Sequence, residues 1–129
     1  MLNHRELFER GLAKLHEIDG EQGDAVMDAL SDIAPDLGRY IVSFGFGEIY
    51  HRPALNNRER ELLTLGLLAA QGGCEKQLKV HIHAALNVGI SREEIVETFI
   101  HCMPYLGFPK ALNAVFAAKE VFDGAGKAA

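Results

Sequence analysis

Clustered positive charge is absent from this sequence. Lys and Arg total 13 against 18 Asp and Glu, a net charge of −5 and a pI near 5.6, and no basic run occurs anywhere. Binding a phosphate backbone draws on grouped Lys and Arg, so nucleic acid is excluded as a partner. Cysteine is scarce as well. Cys74 and Cys102 are the two present, and neither belongs to a CxxC pair, which removes a disulfide framework, a zinc ribbon and a thioredoxin-type dithiol. No metal site is expected. Long hydrophobic runs are missing too: the longest, Leu65 to Ala70, falls far below the ~20 residues of a membrane span, so no membrane partner is expected. Met1-Leu2-Asn3-His4-Arg5-Glu6 has no apolar leader core, and the expectation is a cytoplasmic protein. Sustained alternation of apolar and polar residues, the mark of a strand, is found nowhere.

What the sequence does contain is helical periodicity. Its 129 residues amount to one domain's worth, since domains run ~100–150 residues, and one domain over 1–129 is expected. Asn3 and Glu6 form the two halves of a capping box, and Leu7, Phe8, Leu12, Leu15 and Ile18 follow at helical spacing up to Asp19-Gly20. Val26, Met27, Leu30 and Ile33 mark a second segment, ending before Pro35. A third helix is predicted from Pro35 to Ile49, followed by a loop over 50–57. Asn56 then caps a Leu- and Ala-rich helix from about Asn57 to Gln71, closed by Gly72-Gly73. Another runs from Cys74 to Val88 and stops at Gly89. Ser91 and Glu94 form a second capping box ahead of Ile95, Phe99, Ile100 and Met103, and Pro104 is expected to kink or end that helix. A last helix follows Pro109, with a frayed tail over 123–129. The fold class is therefore all-α, a compact bundle of about six or seven helices.

The polar residues group around the Gly72-Gly73 break. Cys74, Gln77 and His81 stand at i, i+3 and i+7 and share one helix face. Cys74 falls in the first turn, where the macrodipole favours a thiolate. Glu61 lies on the preceding helix. A carboxylate beside an imidazole fixes its tautomer and suits it to proton transfer near neutral pH. Each residue also has an ordinary reading: Glu61 as a solvated charge early in a helix, His81 as a packed or surface histidine, Gln77 as a structural hydrogen-bonder, Cys74 as a small helix-start residue. His83 points away from His81 on the wheel, and Cys102 reads as core. Arg52, beside Pro53 in the linking loop, suits bidentate recognition of a carboxylate.

Several stretches resemble one family. They are Gly47-Glu48-Ile49-Tyr50-His51-Arg52-Pro53-Ala54-Leu55, Arg60-Glu61-Leu62-Leu63-Thr64-Leu65, the run from Gln77 through His81 to Asn87, Ser91 to Thr98, and Tyr105 to Ala114. Together they look like the carboxymuconolactone decarboxylase family, over about Ile33 to Phe122. The resemblance implies an all-α fold shared with alkyl hydroperoxidase D. It also implies a homo-oligomer, trimer or hexamer, with sites at subunit interfaces. The family's named activity is cofactor-free decarboxylation of 4-carboxymuconolactone in aromatic catabolism. Its hydroperoxidase relatives carry Glu, then CxxC, then His four residues beyond the second Cys. Here Cys74 matches the first cysteine, Gln77 stands in place of the second, and His81 matches the histidine. Glu61 falls one residue further away than the hydroperoxidase spacing.

Three functions are compatible with these residues. The first is a lyase acting on a small carboxylated lactone, with His81 and Glu61 moving protons and Arg52 and Gln77 holding substrate. The second is a thiol-dependent peroxidase through Cys74, with His81 and Glu61 as the proton relay. The third is an oligomeric small-molecule binder that uses the same pocket without catalysis.

Overall fold

The computed structural model describes residues 1–128, with side chains through Gly124. Among them are seven α-helices and no strand: α1 (His4–Asp19), α2 (Glu21–Leu30), α3 (Pro35–Tyr40), α4 (Asn57–Gln71), α5 (Glu75–Asn87), α6 (Arg92–Leu106) and α7 (Phe108–Ala128). No helix among these residues is long and apolar enough to cross a membrane. The all-α expectation holds, with seven helices. The tail expected to fray is helical as far as Ala128, and Ala129 lies outside the described residues.

The chain divides into two compact units, Met1–Asn57 and Arg58–Ala129. In the first, Asn3 caps α1 as its sequence position predicts, its side chain accepting from the Glu6 N–H at 2.9 Å. Gly20 ends α1 at a positive φ of 56°. The predicted helix from Pro35 to Ile49 does not form as one piece. After Tyr40 the backbone widens into a π-helical turn over Ile41–Phe46, and a 3-10 turn follows at Ile49–His51. Gly11 and Gly47 let α1 lie directly on this turn. A Cβ on Gly11 would sit 2.0 Å from the Val42 carbonyl oxygen, and one on Gly47 would sit 2.5 Å from that of Leu7. The Arg10 guanidinium closes the seam, donating to the Gly47 carbonyl from Nε at 2.9 Å and from Nη2 at 2.7 Å. Periodicity cannot register this geometry, because the seam is made by backbone atoms.

The second unit is built from α4 to α7 around Leu65, Leu78, Ile82, Ile95, Phe99 and Val121, all buried. Gly72 and Gly73, both near φ +70°, let the chain reverse between α4 and α5. Lys110 reaches across to donate to the Ala70 carbonyl at 2.9 Å, placing a cation at the negative end of α4. Pro104 neither ends α6 nor breaks it; the helix runs on to Leu106. Proline there removes one ladder bond within the last turn, which the helix tolerates.

The capping box at the start of α6 is complete. Ser91 Oγ accepts from the Glu94 N–H at 3.1 Å, and the Glu94 carboxylate accepts from the Ser91 N–H at 3.0 Å. The Ser91 N–H first, then the Arg58 guanidinium, hold the Glu94 carboxyl below its ordinary range. The stability Glu94 contributes is therefore present above the ordinary carboxylate range and is lost as pH falls through the depressed value. Ser91→Ala is expected to lower unfolding stability by about 1 kcal/mol at neutral pH, measured by urea denaturation. An unchanged midpoint would show that the cap contributes nothing.

Candidate active site

Glu61 is fully buried, at 0% side-chain exposure. An ionised carboxylate in that position is costly unless hydrogen bonds replace its water. His81 supplies one. Its Nδ1 lies 3.0 Å from Oε1 and 3.3 Å from Oε2 of Glu61. Both residues belong to the second unit, where the second turn of α4 and the middle of α5 bring them together. The pairing fixes the imidazole. With Nδ1–H directed at Glu61, Nε2 becomes the basic nitrogen of the neutral ring. The His81 side chain keeps 20% exposure, so the dyad couples a dry carboxylate to an imidazole that solvent still reaches. Such a pair can take up and deliver a proton without changing its geometry.

Of the predicted site residues, Glu61 and His81 are brought together. Gln77 is exposed on the first turns of α5. Cys74 is the N-cap of α5 and makes no side-chain cap hydrogen bond. Its Sγ lies 3.5 Å from the Gly72 carbonyl oxygen. It lines a narrow recess with Leu78, Lys110 and Asn113, to which neither Glu61 nor His81 contributes. Arg52 belongs to the first unit and is exposed just after the 3-10 turn. Both cysteines are free thiols.

A second concavity, of about 640 Å³, runs between α4 and α6. Leu62, Leu63, Gly66 and Leu67 form one wall, and Thr98 and Cys102 form part of the other. Gly66 leaves room for the Cys102 sulfur, which a Cβ there would meet at 3.4 Å. Burial pushes the Cys102 thiol above its ordinary value, yet the residue is half-buried on the wall of this concavity and outside the buried core, which corrects the core reading. His101 is exposed, its ring tilted against Tyr105 at 6.0 Å between centroids.

Residues 35–120 match the family model described as "Carboxymuconolactone decarboxylase family". The chain belongs to the carboxymuconolactone decarboxylase family. Among curated relatives, it is 33% identical over 126 residues to a protein of Acinetobacter baylyi named 4-carboxymuconolactone decarboxylase, covering 97% of this chain and 93% of that one. It is 29% identical over 123 residues to the nitrosuccinic acid decarboxylase of Metarhizium robertsii, covering 93% of this chain and 84% of that one. A third relative is an uncharacterized 15.0 kDa protein of Paracoccus denitrificans, 30% identical over 97 residues and covering 74% of this chain and 72% of that one. Family membership extends across the region that carries Glu61, Cys74, Gln77 and His81.

Proposed function

We propose that this protein is a decarboxylase of a small carboxylated lactone, 4-carboxymuconolactone or a close analogue. The observation that carries the reading is the buried Glu61–His81 dyad, found in a chain whose curated relatives include two named decarboxylases. The acids those names denote both hold a carboxyl group near an electron-withdrawing function, a lactone carbonyl in one and a nitro group in the other. In such a substrate the C–C bond to the carboxylate breaks, CO₂ leaves, and the electron pair delocalises into the neighbouring acceptor. Carbon then takes a proton to complete the reaction. The substrate is its own electron sink, so the chemistry needs a proton donor and a cation more than it needs a cofactor.

His81 is assigned the proton. Charged on Nε2, it delivers that proton to the carbanionic carbon, and Glu61 on Nδ1 stabilises the imidazolium before transfer. Arg52 is assigned the substrate carboxylates, for which a guanidinium fork is well matched, and Gln77 a polar contact to the lactone. The direct test is CO₂ release from 4-carboxymuconolactone, with nitrosuccinate and a hydroperoxide as parallel substrates. No release from either acid would remove the proposal.

In this reading Cys74 takes no part in the chemistry. Cys74→Ser is expected to leave decarboxylation within about two- to three-fold of wild type, the span of roughly 0.5 kcal/mol. A larger loss measured in initial rates would favour the thiol reading.

The protein is further proposed to act as a homo-oligomer, a trimer or hexamer. Exposed apolar side chains on α4, α6 and α7 support this, among them Leu67, Tyr105, Phe108, Leu112 and Phe116. So much apolar surface is uncommon on a monomer of this size. Light scattering at micromolar concentration is expected to give a multiple of 14.2 kDa, and a stable species at that mass would overturn the assembly.

A further inference from the structure

His51 is a histidine to which the proposed chemistry assigns no role, yet its surroundings are specific. It is the last residue of the Ile49–His51 turn, whose next residue, Arg52, leaves in extended conformation with ψ 135°. The turn is held at its base. Phe46 stacks on Tyr50 at 4.7 Å between ring centroids, and the Arg52 N–H donates to the Ile49 carbonyl at 3.1 Å. The His51 ring hydrogen-bonds the backbone of Arg10, the residue whose guanidinium clamps the Gly47 carbonyl. The other ring nitrogen, Nε2, is buried and has no hydrogen-bond partner. With Nδ1–H given to the Arg10 carbonyl, Nε2 is a lone pair in a dry site. That is tolerable for a neutral ring and poor for an imidazolium, whose second N–H would be left unpaired.

The surrounding charges add to this. From α1, Arg10 and Lys14 bear on the ring with positive charge and Glu17 with negative. Glu17 is already engaged by Lys14 at 3.2 Å and by Asn57 Nδ2 at 3.0 Å. The π-helical turn Ile41–Phe46 carries no ionisable side chain, and Glu48 and Arg52 on His51's own segment are exposed.

We propose that His51 is an acid-sensitive pin: neutral, it fastens the turn that presents Arg52, and on protonation at Nε2 it lets that turn go. Burial is the main influence on the ring, and it lowers the pKa of His51 below the ordinary imidazole value. The sign follows. The unfolded segment binds the proton more readily than the folded one, so the pin contributes fully above an ordinary value of about 6.5 and is lost as pH falls through the depressed value. Any consequence for substrate affinity rests on the proposed role of Arg52, whereas the opening of the turn does not.

The test therefore reads the turn itself. Amide exchange over residues 47–55, corrected for intrinsic rates, is compared at pH 7.5 and 5.5. Wild type is expected to exchange several-fold faster at the lower pH. His51→Asn retains a donor for the Arg10 carbonyl and cannot titrate, so its corrected exchange is expected to be equal at the two values. Carbon-detected NMR titration of the unaltered protein serves if that variant folds poorly: His51 is expected to titrate below the ordinary imidazole value of about 6.5. Titration of His51 at or above that value, or a pH response in His51→Asn equal to that of wild type, overturns the proposal. Decarboxylase assays at the same two values separate the readings, since loss of activity without opening would implicate the dyad and not the pin.

Discussion

His81→Asn is expected to reduce decarboxylation by about 10²- to 10⁴-fold, the usual contribution of a positioned general acid–base group, while the protein remains folded and assembled. Asparagine is the informative replacement. Its Nδ2 still offers Glu61 a hydrogen bond, so the buried carboxylate keeps a donor, but no proton can be carried. His83→Asn is the control. Two positions along α5 turn the side chain roughly 200° around the axis, and its loss is expected to be slight. Steady-state rates with folded variants, checked by circular dichroism and light scattering, decide the matter. If His81→Asn turned over near the wild-type rate, the dyad would be a structural ion pair and the proposed chemistry would need another acid.

Phe99→Ala is expected to have the largest effect on stability, about 3–5 kcal/mol. Phe99 is fully buried in the second unit, in the cluster that includes Leu65, Ile82, Ile95 and Ala118. Close-packed neighbours relax only partly around the space a phenyl ring leaves. Measured against a total of about 5–15 kcal/mol for an ordinary domain, that loss removes a large share of the stability. The measurement is urea denaturation at matched protein concentration, because assembly makes apparent stability depend on concentration. A loss under about 1 kcal/mol would mean that the site collapses around the missing ring. The two variants also separate fold from chemistry: His81→Asn removes turnover from an intact protein, whereas Phe99→Ala lowers stability and leaves the dyad's residues in place.

Helix caps and core faces were legible in the sequence because they are local. Asn3 with Glu6 and Ser91 with Glu94 each act across three residues; the structure completes the box at Ser91, whereas at α1 the Glu6 carboxylate accepts from the Asn3 side-chain amide and not from its backbone N–H. The Glu61–His81 contact was also within reach, since a buried acid on one helix and a histidine on the next share the turn made by Gly72-Gly73. Helical spacing placed Cys74 and Gln77 on the same face as His81. Spacing alone does not give exposure or rotamer, and the structure turns the Cys74 sulfur toward a recess beside Lys110 and leaves Gln77 in solvent. The break of the third helix had no such signature. Ile41 to Phe46 are weak helix formers, and Gly45 and Gly47 loosen the end of the segment, but composition does not specify the π-helical form that the backbone takes there. His51 carries no signature for a similar reason: in YHRP it reads as a loop residue, and only the fold buries its Nε2. Pro104 does not stop α6 where it stands, because its cost falls within the last turn, two residues before the helix ends at Leu106.

The clasp between α1 and the π-helical turn bears on how this protein tolerates change. Positions 11 and 47 are closed to every side chain, alanine included, by main-chain atoms that cannot rotate away. Their identity is set by steric exclusion and owes nothing to the reaction. Homologues that had drifted to other substrates could still retain both glycines, which makes the pair a marker of shared architecture and a poor guide to shared activity.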